Sequence, residues 1–419
     1  MTLFLVMMPK NKPLKESEAR KEEKVLISEM EQVLANFLSI KKQGLFGISP
    51  SIALEIASSS PVTLSGFIGV QRNLKYTSGT LSTSGSTIEM YSSNSMYIEV
   101  AAMGSNMFDN LILNSGSGYN AYITGTVKVA GTLTMRGSGR LDDGIIEAYG
   151  TIEPEKNVVS AGSAYTTIIK AKGNPTQTIA FPTATGQSLT NHLHIDNGTG
   201  GTLSFTGDAI SSGGFTYVSG TVTWPASIEF KYQYYSQSSD FSTMPGTMKF
   251  NDVVFNISGY TFSLTGNMNI AGNVTFNATT NSSGRFREGN INLEGNFISN
   301  GTGTAAASTG VTYTTWTLMG PGTQTLTAGL VSGEGVPAGT LVVNKSTGTV
   351  ELASAWYMKG GSSDIHMQSG TLNMNGYLLN ISYGGGSDSV LTLESGTVIN
   401  RGGGTLTYEA IVNNGGTIN

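Results

Sequence analysis

The sequence predicts an all-β fold: a right-handed parallel β-solenoid with a short N-terminal amphipathic helix. Three observations predict it. The first is a recurring Gly-Thr-apolar tripeptide, which reads Gly125-Thr126-Val127, Gly131-Thr132-Leu133, Gly150-Thr151-Ile152, Gly201-Thr202-Leu203, Gly220-Thr221-Val222 and Gly246-Thr247-Met248. It returns at Gly339, Gly348, Gly370, Gly396, Gly404 and Gly416, with Gly272-Asn273-Val274 and Gly295-Asn296-Phe297 as relatives. Self-similarity at roughly 20–50 residues marks stacked units, each too small to bury its own apolar face. The second observation is composition: 55 glycines in 419 residues and only 12% charged residues, against about 25% in ordinary globular chains. The third is strict alternation of apolar and polar residues in short runs between polar turns, the period of a strand with one face buried.

The chain begins differently. Residues 14–43 are rich in Glu, Lys, Leu and Ala and hold no Gly or Pro. Leu26, Met30, Val33, Phe37 and Ile40 fall at helical spacing and make one apolar stripe. Lys41 and Lys42 suit the negative end of the helix dipole, and Gly44 follows as a stop. Residues 1–44 are therefore expected to be a docking or oligomerisation segment built on a helix over 14–43. The stripe packs either on the first solenoid coil as a cap or on sister helices. The short apolar run Leu3–Met8, with Lys10 and Lys12 after it, has the wrong order and length for a secretion signal. No run approaches the ~20 apolar residues that span a bilayer.

Residues 45–74 are expected to be transition strands, with alternation at Ile52, Leu54 and Ile56 and again at Val62 and Leu64. Residues 75–419 are the predicted solenoid repeats. In Thr132-Leu-Thr-Met the alternation places Leu133 and Met135 inward; Leu203, Val222 and Leu372 take the same phase. Glycine ahead of the threonine permits a corner with positive φ, and Asn and Ser at strand ends bond turn amides.

The charge pattern excludes several functions. The net charge is −5; the first sixty residues carry most of the charge density, and the long body is weakly acidic with no basic stripe for a phosphate backbone. No nucleic-acid partner is expected. With no cysteine and three histidines, thiolate chemistry is excluded and a metal or other cofactor is not expected. The eight Asn-x-Ser/Thr sequons match what chance gives in so Asn-, Ser- and Thr-rich a chain, and carry no case for glycosylation.

The stretch Gly339-Thr-Leu-Val-Val-Asn-Lys-Ser-Thr-Gly-Thr-Val-Glu-Leu, followed by Gly370-Thr-Leu-Asn-Met-Asn-Gly-Tyr-Leu-Leu-Asn-Ile, resembles the repeat of bacterial β-strand-repeat surface proteins and adhesins. Phage tail spikes and fibres use a similar right-handed β-solenoid. The resemblance covers roughly residues 75–419. It implies a passive scaffold, often adhesive, in some members bearing a glycan-cleaving groove. The N-terminal helix and the missing signal depart from the secreted proteins and point to a virion fibre held by its N-terminus.

Three places invite a chemical reading. Asp142 and Asp143, beside Arg140, form the densest acidic cluster of the body. Paired carboxylates run glycoside hydrolysis, but adjacent residues on a strand face opposite ways, and Asp-Asp-Gly reads as a turn. His192, His194 and Asp196 share one strand face, with Leu193 and Ile195 on the other; two His and a carboxylate can bind a metal, yet an outer solenoid face is polar in any case. The third place is aromatic. In Ile228-Glu-Phe-Lys-Tyr-Gln-Tyr-Tyr, one face carries Ile228, Phe230, Tyr232 and Tyr234 and the other Glu229, Lys231, Gln233 and Tyr235. Trp224, Tyr232, Tyr234 and Tyr235 are the candidate carbohydrate-binding residues, since exposed rings stack on sugar faces; alternatively the aromatics fill a wide coil. Tyr313/Trp316 and Trp356/Tyr357 are weaker versions. No residue is assigned a catalytic or metal-binding role.

The expected function is a non-enzymatic structural and adhesive fibre or spike on a virion surface. The expected partners are further copies of itself (a trimer or filament), an anchor reached through the N-terminal segment, and a host glycan or protein. Two alternatives are a bacterial or archaeal cell-surface adhesin or filament subunit, and a glycan-degrading spike enzyme. The last repeat stops at Asn419 with a strand edge open, where a partner or further solenoid is expected.

Overall fold

The computed structural model describes residues 53–116, 119–157, 166–173, 175–181, 187–232, 237–257, 261–277, 285–300, 314–328, 339–359, 363–383 and 389–419. The helix expected at 14–43, with Leu26, Met30, Val33, Phe37 and Ile40, lies outside them. The chain is an all-β parallel solenoid, and no helix occurs among the described residues. They divide into two compact units, one up to residue 157 together with 166–170, the other from 171 to the C-terminus.

In the first unit the strands Ala53–Ala57, Asn73–Ser78, Met96–Val100 and Ala121–Thr124 pair in sequence, each parallel to the next. A second face stacks Phe67–Val70, Thr87–Ser92, Asn110–Ser115, Leu133–Gly137 and Ile152–Asn157 in the same manner. Residues one turn apart touch: the Thr132 backbone N–H donates to Asn110 Oδ1, 22 residues earlier, and Thr134 Oγ1 donates to Glu153 Oε2, 19 residues later. The turn length is thus the repeat read from the glycines. Parallel pairing in register sets like on like. Ile88, Leu111, Leu133 and Ile152 form one inward column with no exposure, and Leu74, Ile98 and Ile123 another. Each such side chain contributes about 1.5–3 kcal/mol by leaving water. Strands at 53–57, 62–63 and 67–70 already pair with the following turn, so stacked turns begin at Ala53, inside the stretch expected to be transitional.

The second unit repeats the plan with an interior rich in aromatic rings. Phe230, Phe255 and Phe276 stack in register on three successive turns. Phe230 also meets Phe215 and Phe262 edge-on, with centroids 5.6 and 5.5 Å away. Further along, Leu293, Leu318, Val343, Met367 and Leu393 make an aliphatic column. Leu203, Val222 and Leu372, expected inside, are buried, as are Leu133 and Met135 of the first unit.

The corners explain the recurring tripeptide. Asp252, Asn273 and Asn296 form a ladder in which each side-chain oxygen accepts the backbone N–H of the residue stacked above: Asn273 N–H at 2.6 Å, Asn296 N–H at 2.9 Å and Thr325 N–H at 2.8 Å. Each turn's corner amide is thereby satisfied by its neighbour. The glycine preceding Asn296 is there for closeness: a β-carbon on Gly295 would overlap the Gly272 carbonyl. The expectation that the motif glycines supply positive φ holds at Gly125, Gly220, Gly339, Gly348, Gly370 and Gly396 but not at Gly131, Gly150, Gly201, Gly246, Gly272, Gly295, Gly404 or Gly416; at Gly131, Gly150, Gly272 and Gly295 the preceding turn leaves no room for a side chain. A second corner device recurs in both units. Tyr76 donates its hydroxyl to Gly79 O, and Tyr217 to Gly220 O, each at 2.6 Å, inside the matching stretches Tyr-Thr-Ser-Gly-Thr-Leu and Tyr-Val-Ser-Gly-Thr-Val. Both rings are buried, and a buried tyrosine hydroxyl needs such a partner.

Candidate functional site

Of the residues proposed for sugar stacking, Trp224 is interior. Trp224 is only 6% exposed; it stacks on Phe250 with centroids 3.9 Å apart and on Phe205 at 5.1 Å. Its position two residues beyond the inward Val222 places it on the core face, so alternation from Val222 already carried the correction. Ile228 and Phe230 are buried too. The backbone of Tyr232 closes the strand Ser227–Tyr232 opposite Ile257, and Tyr234 and Tyr235 lie outside the described residues. Trp316 and Trp356 are also buried, while Tyr313 lies outside the described residues. Aromatic rings fill the coil interior here, and Trp224, packed between Phe205 and Phe250, cannot present a face to a ligand.

The aromatic side chains that do face water are elsewhere. Tyr97 stands in the strand Met96–Val100, whose pattern alternates strictly, with Met96, Ile98 and Val100 buried and Tyr97 and Glu99 exposed. Tyr97 is 43% exposed. One turn on, Tyr122 lies in register with it, and the two rings stack with centroids 5.3 Å apart and planes 19° from parallel. Asn120 Nδ2 donates to the Tyr122 hydroxyl at 3.2 Å. The same outer column runs from Asn73, opposite Tyr97, to Asp142, opposite Tyr122. Asp142 is itself held by Arg140, Nη2 to Oδ2 at 3.1 Å. Two stacked phenols, flanked by an amide at one end and an ion pair at the other, offer aromatic surface together with hydrogen-bond donors and acceptors. The sequence signal was the 25-residue interval between two outward tyrosines, one turn of the repeat, which an aromatic-density scan passes over.

The acidic cluster is structural. Asp142, in register with the outward Tyr122, is buried, and Asp143 is exposed; the strand ends at Asp142, so the alternation expected to set the two on opposite faces does not extend to Asp143. Asp143 has φ of 61° and Gly144 of 60°, a turn, and Asp143 N–H donates to Thr166 Oγ1 at 2.7 Å. The histidine strand also alternates as expected, with Leu193 and Ile195 fully buried. His192 Nε2 lies 2.8 Å from Thr216 Oγ1, and its ring meets His194 edge-on at 5.2 Å. Burial, aided by His194 and opposed by Asp240, lowers the His192 pKa to about 4. Asp196 is drawn aside, accepting from Ser219 Oγ and pairing with Lys172. Among the described residues no three His, Cys, Asp or Glu side chains form a metal-holding group, and no helix is long and apolar enough to cross a membrane.

No protein-family model, no curated protein and no solved structure matches this chain.

Proposed function

We propose that this chain is a non-enzymatic structural and adhesive right-handed β-solenoid, a fibre or spike of a virion surface, docked and oligomerised through residues 1–44 and presenting its body to a host glycan. The observation that carries the reading is the Tyr97–Tyr122 pair: an exposed ring and a half-buried one, fixed by parallel register on a sheet whose other face is fully packed. A rigid lattice of this kind positions a contact without needing a moving loop. The sparse charge of the body suits a neutral ligand better than a polyanion. Asp142 tied to Arg140 and Asp143 tied into a turn favour binding over hydrolysis, because a glycosidase needs two carboxylates converging on one bond.

The test is immunogold electron microscopy of the source cells and of the particles they release, with an antibody against residues 53–419. Gold on particle surfaces is the expected result. Gold confined to the cell envelope would replace the virion with a cellular adhesin. Light scattering of Leu26→Lys plus Phe37→Lys tests the docking segment: the purified assembly is expected to fall to monomers.

A further inference from the structure

Lysine is almost never fully buried in a protein core. Lys345, in the strand Thr340–Leu352, is 2% exposed. Its Nζ donates to Gln324 Oε1 at 2.9 Å, and Gln324 is itself 1% exposed. The amide is fixed from its other end: Gln324 Nε2 donates to the Leu293 carbonyl at 2.8 Å and to the Gly295 carbonyl at 2.6 Å. Around the pair the interior is apolar. Gln324 stands in register with Val350, and the column continues through Leu372 and Ile399. The lysine stem is confined from the next turn, where a β-carbon on Gly370 would fall 2.6 Å from Lys345 Cβ. An amine and a carboxamide are thus held together, away from water. Burial works against the charged ammonium, with Glu294 opposing it, and a desolvated amine is the nucleophilic form.

We propose that Lys345 and Gln324 join in an intramolecular isopeptide bond between adjacent turns, releasing ammonia. The Nζ lone pair adds to Gln324 Cδ. The Cδ–Nε2 bond then breaks, and the proton shed by Nζ passes to the departing Nε2, so ammonia leaves and a secondary amide remains. Nothing is oxidised or reduced, and no co-reactant is consumed. The Leu293 and Gly295 carbonyls orient the leaving nitrogen, and the confined stem supplies the proximity that makes an intramolecular addition effective. The product removes the buried amine altogether and ties one turn covalently to the next, a lock suited to a solenoid whose turns otherwise hold only their neighbours.

Mass spectrometry of the natively purified chain decides the matter. Trypsin cuts after Arg287, Lys345 and Lys359 in this region. The bond predicts a peptide 288–359 uncut at Lys345 and one ammonia lighter than its sequence, whose halves stay joined after a second cut at Glu334. Lys345→Met and Gln324→Leu should each restore full mass. Two linear tryptic peptides, 288–345 and 346–359, both at full mass from the wild-type chain, would overturn the proposal. So would ammonia loss from a 288–359 species that falls into two pieces at Glu334, since that places the loss at an asparagine.

Discussion

Gly150 lies against Gly131 of the preceding turn so closely that a β-carbon on Gly150 would overlap the Gly131 carbonyl oxygen. Contact between equivalent positions, repeated turn after turn, is what turns a tripeptide repeat into a solenoid. The glycines are spacers set by the stacking distance of parallel strands, about 4.8 Å, as much as they are hinges.

This distinction separates members of one motif. Gly150→Ala forces two backbones apart and should cost about 1–3 kcal/mol. Gly246→Ala should be close to neutral, because nothing lies within 4 Å of its added carbon and its φ is not positive. Thermal unfolding of the two variants checks the contrast; equal losses would remove the packing explanation.

A buried charge tests the inward phase. Leu372 is 1% exposed between Val350 and Ile399. Leu372→Asp should cost on the order of 4 kcal/mol, since the carboxylate finds no partner there. Hydrogen exchange should show the loss of protection concentrated in the turns that contain 350, 372 and 399, with the strands Leu74 and Ile98 unaffected. Unchanged exchange around Leu372 would place the residue on the wrong face.

Acid should loosen the His192 strand. In the folded chain His192 takes up a proton only at about pH 4, whereas the unfolded chain does so near 6.5. The unfolded state therefore binds more protons between those values. The stabilisation is complete above pH 6.5 and is lost as the pH falls towards 4. At about 1.4 kcal/mol per tenfold change in proton affinity, this window is worth on the order of 3 kcal/mol. His192→Gln should flatten stability between pH 6.5 and 4, read from denaturant midpoints; an identical slope would mean that other groups carry the acid response.

The architecture was legible because the repeat and the alternation are both direct imprints of stacking. Leu133, Leu203, Val222 and Leu372 could be placed inside from the sequence. The aromatic site could not. Sugar-binding and core-filling aromatics have the same composition, and only the turn-to-turn register tells them apart. Trp224 follows Val222 by two residues and goes inward. Tyr97 follows the inward Met96 by one and goes outward, and its partner Tyr122 is adjacent only through the fold. Lys345 was equally hidden, since its neighbour Gln324 is 21 residues away in sequence and the polar Asn344-Lys345-Ser346 run reads as a surface turn.

The central claim, adhesion through a fixed aromatic column on an inert scaffold, is tested most directly by glycan-array binding with analysis of the glycan afterwards. The account predicts that the purified chain binds a neutral glycan and leaves it intact. Tyr97→Ala with Tyr122→Ala should abolish binding with the unfolding midpoint nearly unchanged. Trp224→Ala should cost about 3–5 kcal/mol of stability and keep whatever binding survives folding. Cleaved glycan products, or binding untouched by the loss of both tyrosines, would contradict it.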